Sequence, residues 1–211
     1  TVLATSAMAE VPKVVTDFAP THGLVAMVMG DLVAPQPLLD KGANAHDFQL
    51  KPSQSAAVQE AGLVVWIGPQ MSPWLDRVLT SFDSVPQLRL LEVKGSHLQD
   101  FGAEANGHDH EAEGHDDHGH DDHGGHDDHG HEGLDPHAWL DPANGIIWLE
   151  AIATELSRLD PENAATYAAN ADKAKGVIAE TDAKIAAQLK PVQGKPFVVF
   201  HDAYGYFAAH Y

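Results

Sequence analysis

Three histidines stand apart from the rest by their setting. His46 lies in GANAHDF, His137 in LDPHAWLDP, and His201 in HDAYGYF directly after the apolar run FVVF. Each has acidic neighbours: Asp47 beside the first, Asp135 and Asp141 around the second, Asp202 beside the third. The chain contains no cysteine, so any metal must be held by imidazole and carboxylate. Imidazole nitrogen is the natural zinc ligand where no thiolate is available. A carboxylate on the second ring nitrogen fixes the tautomer and raises ligand basicity. H-E-x-x-H and G-x-S-x-G are both absent, so no hydrolase signature accompanies these residues.

Most of the other histidines fall in one tract. His108, His110, His115, His118, His120, His123, His126, His129 and His131 lie within a stretch ending at Glu132 that also carries ten Asp or Glu. It has no large apolar residue, so burial cannot offset the entropy of ordering it. The sequence predicts a mobile loop over 104–133 that binds zinc weakly at several sites. His22, after Pro20-Thr21, sits where a strand should meet its helix, while His97 and His210 read as surface or packing residues. Trp66, Trp74, Trp139 and Trp148 read as core or cleft-wall residues.

The elements that must position the three histidines alternate in the βα manner. Val14-Val15-Thr16 reads as a strand, followed by a helix from Pro20 to about Met29. A short strand over Leu32–Pro37 and a helix over Pro52–Ala61 follow. Leu63 to Ile67 is a continuous apolar run, the mark of a buried parallel strand. A helix over Pro73–Thr80 and a strand over Leu88–Leu91 complete this part. Beyond the acidic tract, Pro142 opens a helix through Leu159, and Asp160-Pro161 opens another through Leu189. Phe197–Phe200 reads as a new buried strand and Ala203–Tyr211 as the start of a helix. Strands alternating with helices predict an α/β fold with a parallel sheet flanked by helices. Ligands of such sheets bind at the carboxyl ends of the strands, which is where His46 and His201 fall.

The bulk numbers narrow the function. A net charge of −19 over 211 residues opposes binding to phosphate backbones and to anionic lipid headgroups. No apolar run reaches the roughly 18 residues that span a bilayer, so a soluble chain is expected. Thr1–Ala9 is small and uncharged and ends in Ala7-Met8-Ala9 before Glu10, like the end of an export signal.

GANAHDFQLKPS, DPHAWLDP, FVVFHDAYGYF and WIGPQMSPWLDR resemble segments of the ZnuA family, the periplasmic zinc receptors of bacterial ABC importers. The resemblance runs from Val11 to Tyr211, and many members carry an acidic His-rich loop at the same place. It implies two α/β lobes joined by a rigid long helix, with a metal in the cleft. It also implies zinc on His46, His137 and His201, capture outside the cytoplasm, and delivery to a membrane permease by a monomer that is not an enzyme. The corresponding division is an export-signal remnant over 1–9, a first lobe over 10–160, a linking helix over 161–190 and the start of a second lobe over 191–211. Some members place a ligating Glu just before the first histidine; here that position is Ala45. A water or a downstream carboxylate would then complete the coordination. Members also continue for about another lobe past the third histidine. The reading therefore predicts loose packing from about Gly194 onward. A manganese receptor, with two histidines and two carboxylates, is the alternative of the same class. A zinc hydrolase and a pure zinc buffer are the others.

Overall fold

The computed structural model describes residues 10–102 and 133–211. The acidic histidine tract and the segment read as an export remnant lie outside the described residues. The chain order is β1 (Val14–Thr16), α1 (Ala19–Met29), β2 (Gln36–Pro37), α2 (Pro52–Gln59), β3 (Leu63–Trp66), α3 (Pro73–Ser81), β4 (Gln87–Arg89), α4 (Pro142–Leu159), α5 (Ala164–Leu189) and α6 (Gly205–His210). The four strands form one parallel sheet in the order β2-β1-β3-β4. Val15 lies opposite Gln36 on one side and opposite Val64 on the other.

Period-two alternation divides the strand residues between two cores. Val14, Leu63 and Val65 face the layer of α1, α4 and α5, where they meet Val25, Trp148, Ile152 and Tyr167. Val15, Val64 and Trp66 face α2 and α3, where they meet Val58, Trp74, Leu75 and Leu79. Every residue from Leu63 to Ile67 is fully buried, which accounts for the unbroken apolar run. Each large side chain buried there contributes about 1.5–3 kcal/mol.

Several boundaries differ from the sequence reading. The second strand shrinks to Gln36–Pro37, because Pro37 has no amide hydrogen and suits only an edge. The fourth strand starts one residue early and turns into a 3-10 segment at Leu90–Glu92. Asp160 makes no side-chain cap to a backbone amide; its carboxylate accepts from Tyr167 Oη at 2.8 Å and Asn163 Nδ2 at 2.7 Å instead. In α5 the buried side chains are Tyr167, Ala171 and Ala174, all in its first half.

The largest departure is at Phe197–Phe200. These residues form no strand, and no strand among the described residues pairs with them. Val198 is 98% exposed and Phe200 is fully exposed. A parallel strand gains its hydrogen bonds only from neighbours, and an apolar run alone does not supply them. The expectation of loose packing from Gly194 onward holds for this run but not for α6, whose Tyr206 is fully buried.

Candidate metal centre

His46, His137 and His201 come from three separate segments and converge. His137 is central: its Nε2 lies 3.2 Å from His46 Nε2 and 3.2 Å from His201 Nε2. One nitrogen from each ring lies within 4.8 Å of the other two. Nitrogens bound to one tetrahedral zinc at about 2.0–2.1 Å would be about 3.3 Å apart. The observed spacing therefore leaves room for one such ion between the rings. Among the described residues no carboxylate joins this group.

The three rings are held differently. His137 is 2% exposed and begins the 3-10 turn Ala138–Leu140. Its backbone amide donates to Asp135 Oδ1 at 2.9 Å, and its Nδ1 sits 2.6 Å from the same oxygen. An Nδ1–H donated to this carboxylate leaves the Nε2 lone pair facing His46 and His201. Trp139 and Phe101 flank the ring at 5.1 and 6.1 Å between centroids. His46 is half-buried, in the loop that leaves the carboxyl end of β2. Its amide donates to Asn44 Oδ1 at 3.0 Å, and Trp74 Nε1 donates to Ala45 O at 2.7 Å just before it. His201 is exposed, in a turn closed by Ala203 N donating to His201 O at 2.9 Å.

Of the four acids named as partners of these rings, Asp135 lies directly on one, that of His137. Asp141 instead caps α4, accepting from Ala143 N at 2.8 Å, and it pairs with His97 Nδ1 at 2.9 Å and His210 Nδ1 at 3.3 Å. Asp47 and Asp202 are exposed. Asp135, two positions before His137, turns back onto its ring. His22 lies on α1 outside the group, and the loop histidines lie outside the described residues.

Sequence reasoning missed the anchor of α6. Tyr206 Oη donates to Asp135 O at 2.9 Å and accepts from Gln99 N at 3.0 Å. Burial, with nearby carboxylates, pushes its hydroxyl up to about 12, so it stays protonated and able to donate. Gly205 permits this approach: a Cβ there would meet the side chains of Gln99 and Asp135. The aromatic spacing in HDAYGYF was the available signal.

The family model for the zinc-uptake complex component A, periplasmic (ZnuA), matches residues 14–211. The chain belongs to the ZnuA family. It is 51% identical to the high-affinity zinc uptake system protein ZnuA of Paracoccus denitrificans (strain Pd 1222), over 97% of this chain and 65% of that protein. It is 38% identical to the protein of the same name from Brucella abortus (strain 2308), over 92% of this chain and 63% of that protein. The chain thus spans just under two thirds of these relatives. The Zn(II)-bound ZnuA-like domain of Streptococcus pneumoniae AdcA shares the fold, with a TM-score of 0.71 at 22% identity over 94% of this chain and 63% of that one. Members of the ZnuA family are zinc-uptake components by that description, and no helix of the described residues is long and apolar enough to cross a membrane.

Proposed function

We propose that this chain captures Zn2+ in the periplasm through His46, His137 and His201 and delivers it to the membrane permease of an ABC zinc importer. One observation carries the reading: three Nε2 atoms converge at zinc-compatible spacing, with the central ring oriented by a buried carboxylate. Zinc is cargo here, and the reading is of a receptor that works as a monomer and not of an enzyme. Imidazoles must be neutral to ligate, so acidification weakens capture and favours release. The chain divides, in this reading, into a first lobe over 10–160, a linking helix over 161–190 and the beginning of a second lobe over 191–211. The loop histidines serve as a weaker, separate store of zinc.

Three nitrogens, with no carboxylate beside them among the described residues, favour zinc over manganese, whose preference is for oxygen ligands. Calorimetric titration of the protein with zinc, then with manganese, tests the proposal. One tight zinc event that vanishes when all three histidines become alanine is the expected result. Equal tight binding by the triple variant, or tighter manganese than zinc, overturns it.

A further inference from the structure

We propose that Asp17 is the positioning residue of the metal centre, holding through separate contacts the supports of both His46 and His137. This rests on the assignment of those histidines to zinc. Asp17 follows the last residue of β1 and is fully buried. Its backbone carbonyl accepts from Leu39 N at 3.0 Å, just past β2. Its carboxylate accepts from Phe18 N at 2.9 Å through Oδ1 and from Ile67 N at 3.0 Å through Oδ2, just past β3. One residue therefore joins the carboxyl ends of three adjacent strands, the floor on which a ligand of this fold rests.

Two routes lead from that floor to the rings. Ser72 Oγ lies 3.4 Å from Asp17 Oδ2 and is buried at the N-terminal end of α3. Two residues on, Trp74 donates its indole hydrogen to Ala45 O, the carbonyl preceding His46. On the other side Phe18, whose amide Asp17 holds, packs edge-on against Trp139 at 4.9 Å, and Trp139 packs on His137 at 5.1 Å. A carboxylate suits the place because each of its oxygens accepts; an asparagine has only one acceptor for donors on both sides. Burial pushes the Asp17 carboxyl up to about 6, so at neutral pH the fold holds an ionised group that it would keep more easily as a neutral one. A neutral replacement relieves that burial cost but leaves one backbone amide without its acceptor, so its two effects on stability oppose each other.

Asp17→Asn, measured at pH 7.5 by zinc competition and by thermal unfolding of the metal-free protein, tests this. A zinc Kd raised about tenfold, about 1.4 kcal/mol, is expected, well beyond any change in Ile152→Val, a buried core variant whose side chain belongs to no part of either route. A Kd within twofold of the parent overturns the proposal. So does a loss of affinity that Ile152→Val reproduces at the same fall in Tm, which assigns Asp17 to the fold alone. Trp74→Phe removes the indole donor and keeps the ring. Combined with Asp17→Asn it should weaken binding by less than the product of the two single effects, since both act on the same support. Independent, multiplicative effects overturn the route to His46. Should the parent itself take up no zinc, the receptor reading fails, and the positioning claim is then read from hydrogen exchange at the Trp74 indole in metal-free protein. Faster exchange in Asp17→Asn supports it, and equal exchange overturns it.

Discussion

His137 and His201 aim the same ring nitrogen at the same point, but the chain holds them by opposite means. The segment of His137 is buried from Asp135 to Ala138: Asp135 and Asp141 are each at most 3% exposed, and Asn144 ties Ala138 O to His97 N. The segment of His201 runs through residues 191–202 without one buried residue, and regains the core only at Ala203 and Tyr206. One histidine is built into the α/β core; the other is tethered to it by a short helix. The difference teaches where binding energy is lost. A preorganised ligand contributes its full interaction, while a loosely held one must first be ordered against its conformational entropy.

This contrast can be broken most sharply at the rings themselves. His137→Ala should cost more than about 100-fold in zinc affinity, beyond the range seen when only an outer-shell partner is lost. His201→Ala should cost less. Titration of both variants side by side decides it, and an equal or larger loss at His201 would show that burial does not rank the ligands. Next in size, Asp135→Asn keeps the shape of the side chain but removes the charge that orients Nδ1–H of His137. A loss of about 10- to 100-fold is expected, and it should exceed that of Asp202→Asn, whose carboxylate is exposed.

The tether offers a finer test. Tyr206→Phe leaves the ring in the core but deletes the hydroxyl that bonds Asp135 O and Gln99 N. About 1–3 kcal/mol of stability should go with the unsatisfied groups, read by denaturant unfolding. Zinc affinity should fall only several-fold, because His137 keeps its own carboxylate. The smallest effect on the tight site is expected from deletion of His108 to His131. Zinc stoichiometry should drop while the tightest Kd stays within about tenfold, about 1.4 kcal/mol. Loss of the tight event on deletion would move the centre into the loop.

The α/β alternation, the parallel sheet and the three histidines were legible in the sequence because each leaves a local mark. A strand buried on both faces must be apolar throughout, as Leu63–Ile67 is, and a helix start shows its proline, as at Pro20, Pro52, Pro73 and Pro142. The same local logic misread Phe197–Phe200, where apolar character was present but no pairing strand among the described residues was. Only the tertiary structure decided which acid serves which imidazole. Asp135, Asp141, Asp47 and Asp202 are all near neighbours of a histidine along the chain, and the fold turns Asp135 onto His137 and sends Asp141 to His97 and His210. It also brought Asp17, Trp74 and Tyr206 to their posts, through hydrogen bonds spanning 50, 29 and 71 positions. Burial and helix starts are properties of short windows and can be read from one; a hydrogen bond between distant segments exists only once the fold has set both its ends.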